Sequence, residues 1–176
     1  MLRYTKLGII YVSVFFSQII NLYFLGAVFP LILQVLVWVS DTSAGIVGVA
    51  IGRKFFKNGF TEISPKKSVE GALGSIIFTG LAFMLIVVLY IEKINGATVG
   101  EVFLSFIIGA IISVVAQIGD LIESLFKREC GVKDSGTILM GHGGVLDRFD
   151  SMILVLPFVT MVLYFFRLYV SYQYGI

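Results

Sequence analysis

The sequence predicts an all-α fold: a polytopic membrane bundle of about five transmembrane helices, one domain over residues 1–176, with its N-terminus in the cytoplasm. Three observations predict it. Hydrophobic residues make up 58% of the chain and charged residues only 14%, where a soluble domain carries about a quarter. The apolar residues come in long runs rather than in alternation or narrow stripes, and helices are the segments that satisfy their own backbone groups in lipid. Finally, Lys and Arg gather in alternate loops, the bias that marks the cytoplasmic side.

The N-terminus, Met1-Leu2-Arg3-Tyr4-Thr5-Lys6, resembles the charged start of a signal peptide. The apolar stretch continues without an evident small-residue cleavage site, so it reads as a retained anchor. A span needs roughly 20 apolar residues, and Leu7 to Ile51 is long enough for two. Gln18, Asn21, Gly26 and Pro30 interrupt it, which places a turn near residues 21–26 and the second span over Val28–Ile51. The third span is expected over Glu70–Ile91, the fourth over Val99–Gln117 and the fifth over Met152–Tyr172.

The loops sort by charge. Arg53, Lys54, Lys57, Lys66 and Lys67 separate spans two and three; Lys127, Arg128, Lys133 and Arg148 separate spans four and five. The stretch around residues 92–101 sets Lys93 against Glu92 and Glu101. Both basic loops therefore face one side. Topology explains their cations but not Asp120, Asp134, His142, Asp147 and Asp150 among them. Cys130 is the chain's one cysteine, which excludes an intramolecular disulfide and a multi-cysteine metal site. It reads as an incidental loop residue rather than a catalytic thiol.

Asp120 and Glu123 stand three apart, so on a helix they share a face. Asp120 follows an apolar run, which makes it either a carboxylate reaching water at a helix end or one lining a wet cavity. Asp147 and Asp150 repeat the spacing at the start of the last span. One of them is explained by capping against the helix dipole, two less well. A few carboxylates, with water and phosphate oxygens, are what Mg²⁺ takes as ligands. His142, before Gly143 and Gly144, lies in a stretch where the backbone can bend sharply and approach a ligand; as a lone histidine it reads first as structural. In the loop Gly52–Gly71, Ser68 can cap the next helix with Glu70 in its first turn. Lys66 and Lys67 then sit beside a helix N-terminus, placed either for anionic headgroups or for a polyphosphate.

These residues match a family signature. Ser124-Leu125-Phe126-Lys127-Arg128, Lys133-Asp134-Ser135-Gly136 and His142-Gly143-Gly144-Val145-Leu146-Asp147-Arg148-Phe149-Asp150 resemble, with the same spacings, the signature of phosphatidate cytidylyltransferases, or CDP-diacylglycerol synthases. Met140 departs from it, standing where the signature prefers Pro or Gly. Trp38-Val39-Ser40-Asp41-Thr42 resembles the family's Trp-x-x-Asp-Thr segment, and Ser64-Pro65-Lys66-Lys67-Ser68-Val69-Glu70-Gly71 its Ser-Pro-Lys-Lys loop. The resemblance spans about residues 36–150 and corresponds to the family's C-terminal catalytic part; the additional N-terminal helices of family members are expected to be absent.

The resemblance implies that CTP and phosphatidate give CDP-diacylglycerol and pyrophosphate, with Mg²⁺ as cofactor, Mn²⁺ substituting, and room for a second cation. It assigns Asp120 and Asp147 to the metal, with Glu123 and Asp150 as further candidates, and gives catalytic roles to Lys133, Asp134 and His142 beside them. Asp41, Lys66, Lys67, Ser124, Lys127, Arg128, Gly143, Gly144 and Arg148 are the expected substrate-binding residues. It further implies a homodimer in a bacterial inner membrane with a cytoplasm-facing site and no nucleic-acid partner. Three rival readings stand beside it: a CTP-dependent lipid-alcohol kinase, a transporter using Asp41, Asp120 and the Gly-rich loop, and a structural membrane partner that has lost activity, against which the intact signature argues. A transporter predicts polar residues strung across several spans at mid-depth, whereas here they crowd one edge.

Overall fold

The computed structural model describes residues 2–56, 59–61, 64, 67–91, 98–132, 147 and 149–174. The expectations for Lys57, Lys66, Lys133, Asp134, His142, Gly143, Gly144 and Arg148 lie outside these residues. The described chain consists of α1 (Leu2–Leu25), α2 (Val28–Ile51), α3 (Val69–Ile91), α4 (Val99–Glu129) and α5 (Met152–Tyr174). All five are long and apolar enough to cross a bilayer.

Two boundaries differ from the sequence reading. Gln18 and Asn21 do not start a turn: Asn21 Nδ2 donates to Gln18 Oε1 at 3.3 Å within α1, and the reversal waits for Gly26, whose φ of 156° suits glycine. Helix α4 does not stop at Gln117. It runs three further turns to Glu129, carrying Asp120, Glu123, Ser124, Lys127 and Arg128 with it. Its start is fixed by a capping box, in which the Thr98 hydroxyl accepts from Glu101 N and the Glu101 carboxylate accepts from Thr98 N. Lys127 and Arg128 in its last turn suit the dipole.

Helix α3 packs between α2 and α4, while α1 lies mainly against α5, which closes onto α4 and α2. The apolar core joins Phe15 and Leu22 of α1, Leu36 and Val37 of α2, Ile112 and Ala116 of α4, and Met152, Val155 and Leu156 of α5. The lipid-facing exterior is as apolar as the interior; Val49, for example, is 91% exposed. Association of the spans therefore rests on close packing and interhelical hydrogen bonds.

Small residues permit that closeness. A Cβ on Gly71 would lie 2.7 Å from Ala44 O, and one on Gly109 would lie 2.8 Å from both Thr79 O and Phe83 Cβ. At the resulting seam Ser113 Oγ pairs with Ser40 Oγ at 2.8 Å and Ser75 Oγ at 3.2 Å, and Gln117 Nε2 donates to Ser75 Oγ at 2.8 Å and Ala72 O at 3.2 Å. One hydroxyl-amide chain thus ties α2, α3 and α4 together immediately below the charged edge.

Candidate active site

The loop after α2 is held by a carboxylate. Gly52 ends the helix, Arg53 takes a left-handed φ of 64°, and buried Glu70 accepts from Arg53 N at 3.1 Å, Phe55 N at 2.8 Å and Phe56 N at 2.9 Å. Ser68 caps α3 as expected, its hydroxyl accepting from Gly71 N at 3.1 Å. The backbone at Lys67 is fixed at both ends: its N–H donates to Ser64 O at 3.1 Å and its carbonyl accepts from Phe60 N at 2.8 Å. Lys67 is thereby held toward Asp120 of α4 and Asp41 of α2.

Beneath it lies a cavity of about 390 Å³. One face of α2 contributes Ser40, Asp41, Ala44, Gly45 and Gly48; Gly71 and Ala72 come from α3, Gln117 and Asp120 from α4, and Asp150 from the approach to α5. The Lys67 ammonium forms an ion pair with Asp120, and Asp41 and Asp150 also act on it electrostatically. Burial lowers the Lys67 pKa from its ordinary value, aided by the charge of Lys127 and opposed by Asp41 and Asp150.

A second cluster adjoins the first one turn further along α4. Lys127 pairs with Glu123 on its own helix and donates to Asp147 Oδ1 at 3.0 Å. Glu123 is only 2% exposed, and its Oε1 accepts no hydrogen bond among the described residues. Asp150 joins the two clusters, interacting with Asp41 and Lys67 on one side and with Glu123 and Lys127 on the other. Its carboxylate accepts from Ser151 N at 2.6 Å, yet burial raises its pKa from the ordinary 3.8.

Most expected residues in the described chain therefore converge. Asp41, Lys67, Asp120, Glu123, Lys127, Asp147 and Asp150 form one continuous charged group. Ser124 is half-buried and Arg128 exposed on α4, and neither lines the cavity. Lys127 points inward to carboxylates rather than outward as a free cation. Asp120 lies well inside α4 and not at its end. Sequence reasoning did not single out Ser40 or Gln117 as wall residues, nor Gly45 and Gly48 as cavity lining. Gly45 and Gly48 follow Asp41 at helical spacing, four and seven residues on, and that spacing was the available signal.

The donor set suits a hard cation. Five carboxylates face two ammonium groups, so the described part of the site is formally negative, and every candidate donor is oxygen. Among the described residues no three carboxylate, histidine or cysteine side chains form a complete metal cage by themselves. Sharing between two carboxylates, water and phosphate oxygens is the Mg²⁺ pattern this set can meet.

Comparison with known proteins identifies the family. The chain is 40% identical over 157 residues to a phosphatidate cytidylyltransferase of Staphylococcus saprophyticus, covering 89% of this chain and 57% of the relative. It is 36% identical over 166 residues to the phosphatidate cytidylyltransferase of Bacillus subtilis, covering 93% and 58%. A third, from Staphylococcus haemolyticus, is 42% identical over 127 residues, covering 72% and 45%. The chain thus spans about half the length of the curated relatives it matches. The match also runs beyond the signature residues: the model of the Cytidylyltransferase family fits residues 1–166, from α1 into α5, so this chain belongs to that family.

Proposed function

We propose that the chain transfers the cytidylyl group of CTP to phosphatidate, giving CDP-diacylglycerol and pyrophosphate at the cytoplasmic edge of a bacterial inner membrane. The observation that carries this reading is the convergence of Asp41, Asp120 and Asp150 with Lys67 on one cavity in a bundle of membrane-length helices, in a chain of this family. A phosphatidate oxygen attacks the α-phosphorus of CTP; a new P–O bond forms as the bond to the β-phosphate breaks and pyrophosphate leaves. Phosphatidate is already an oxyanion, so no strong general base is required.

In this reading Asp120 and Asp147 hold Mg²⁺, with Asp150 and Glu123 as neighbouring oxygen donors. The cation supplies neutralisation of charge on the transferring and leaving phosphates. Lys67 faces the cavity from its fixed loop and offers an ammonium to phosphate oxygens. The seam of Ser40, Ser75, Ser113 and Gln117 holds the cavity floor rigid, as electrostatic preorganisation requires. Lys67 then meets the phosphates beside the bilayer in which the diacylglycerol tail remains. Homodimer assembly belongs to the same reading and rests on family membership; Gly71, Gly74 and Gly109, which favour close helix contact, are taken up by internal packing.

The test is incubation of the purified chain with labelled CTP, phosphatidate and Mg²⁺. The expected products are CDP-lipid and pyrophosphate in equal amounts. CDP with a newly phosphorylated lipid alcohol would establish the kinase alternative instead, and no turnover of either lipid by a folded preparation would refute both.

A further inference from the structure

We propose that Lys67 and Lys127 are exchangeable counter-cations: each occupies a carboxylate that a divalent cation takes over, and is released by it toward the substrate phosphates. The inference rests on the metal reading above and adds a rule for how the site is loaded.

Each of the two carboxylates assigned to the cation holds an ammonium group, Asp120 that of Lys67 and Asp147 that of Lys127. The pairing repeats across two clusters built from different elements. Lys67 comes from the loop before α3, whereas Lys127 lies on α4 and is shared with buried Glu123. An ammonium and a divalent cation cannot occupy one carboxylate at short range without strong like-charge repulsion. Binding of the divalent ion must therefore move the lysine ends.

The structure limits that motion to the side chains. At Lys67 the backbone N–H and carbonyl are both hydrogen-bonded, to Ser64 and Phe60. At Lys127 the carbonyl accepts from Val132 N at 2.9 Å at the close of α4. A flexible four-carbon stem can swing its ammonium while its Cα stays fixed. Lys67, with 40% of its side chain exposed, has the freer path into the cavity; Lys127, at 19%, has the more confined one. Without the divalent cation, the carboxylates neutralise the same ammonium groups that a polyphosphate needs. With it, they are free. Cation binding should therefore precede and strengthen anion binding.

Mn²⁺ provides the probe, with free and bound ion distinguished by electron paramagnetic resonance on the purified chain without nucleotide. Removing a competing ammonium in Lys67→Met or Lys127→Met should tighten Mn²⁺ binding about tenfold. On the wild-type chain, brief reductive methylation read by mass spectrometry should show Lys67 and Lys127 becoming more reactive when Mn²⁺ is added. This second measurement does not depend on the variants folding. Pyrophosphate should bind more tightly in the presence of Mn²⁺, and this gain should shrink in Lys67→Met. Mn²⁺ binding that is unchanged or weaker in both folded variants, with methylation unchanged in the wild type, would overturn the exchange while leaving the metal reading intact. Failure of Mn²⁺ to bind the wild type and both variants would overturn the two together.

Discussion

Replacing Asp120 or Asp147 by Asn separates a catalytic role from a structural one. The amide keeps the size of the side chain and removes its charge. For Asp120, the lost ion pair involves a carboxylate 20% exposed and a lysine 40% exposed. Such a partly solvated pair contributes no more than about 1 kcal/mol. Asp120→Asn should therefore leave Tm nearly unchanged. Asp147 pairs with a less exposed lysine, but Glu123 still neutralises Lys127 after the substitution, which limits the loss to about 1–2 kcal/mol. Activity should respond quite differently. Charge stabilisation at a metal-assisted phosphoryl centre is worth several kcal/mol, so kcat per folded molecule should fall roughly a hundredfold or more in either variant. Specific activity and thermal stability measured together across a Mg²⁺ titration check this. Near-normal turnover and unchanged Mg²⁺ dependence in both variants would refute the assignment; a large Tm loss with normal turnover would make these carboxylates structural.

Three further outcomes are expected. Gly109→Ala would press a Cβ against Thr79 O and Phe83 Cβ and should cost about 1–3 kcal/mol by overpacking, whereas Gly100→Ala, with open space around it, should be neutral or slightly stabilising; equal Tm values for the two would contradict the close α3–α4 crossing. In chelator, Asp150→Asn should raise Tm at pH 7. Because burial raises the folded-state pKa of Asp150, its ionisation destabilises the fold, so the wild type loses stability as pH rises from the ordinary carboxylate value through the folded one. The variant's advantage should accordingly vanish toward acid, and a wild type more stable than the variant at neutral pH would exclude this account. After exposed Cys130 is replaced by Ser, single cysteines at Lys57 and Gly136 should label from the cytoplasmic side and one at Asn95 from the opposite side. Labelling of Asn95 and Gly136 from one side would refute the five-span topology.

Legibility followed the physics of each signal. The second span was readable as Val28–Ile51 because its apolar run and helix end together. Helix α4 separates these two properties: hydropathy drops after Gln117, but Leu, Glu, Lys and Arg there are good helix formers, so the backbone continues to Glu129. Hydropathy measures compatibility with lipid, not the persistence of intrahelical hydrogen bonds. Gln18 and Asn21 misled in the same way, since two polar amides can satisfy one another along a helix face. The carboxylates at 120, 123, 147 and 150 were legible as spaced pairs. The lysine facing Asp120 was not, because it comes from a different loop, and only the packing of α2, α3 and α4 brings the two together.

That dependence explains why the site sits above the chain's smallest residues. The cavity is lined by Asp41 of α2 and Asp120 of α4, with α3 packed against both helices. Large side chains in these contacts would push the walls apart. Gly71 meets the backbone of α2 at Ala44, and Gly109 meets that of α3 at Thr79. Ser40, Ser75, Ser113 and Gln117 then fix the register with hydrogen bonds that apolar contacts alone would not orient. The individual bonds are modest, about 0.6 kcal/mol on average within membranes. Their value to the proposed chemistry is positional, because they hold carboxylates close enough for cation binding despite mutual repulsion. A Ser113→Ala and Gln117→Leu double variant should therefore lose Mn²⁺ affinity more than it loses Tm, although neither residue is a candidate ligand. Loss of Tm with undiminished Mn²⁺ affinity would show instead that the carboxylates keep their positions without the seam beneath them.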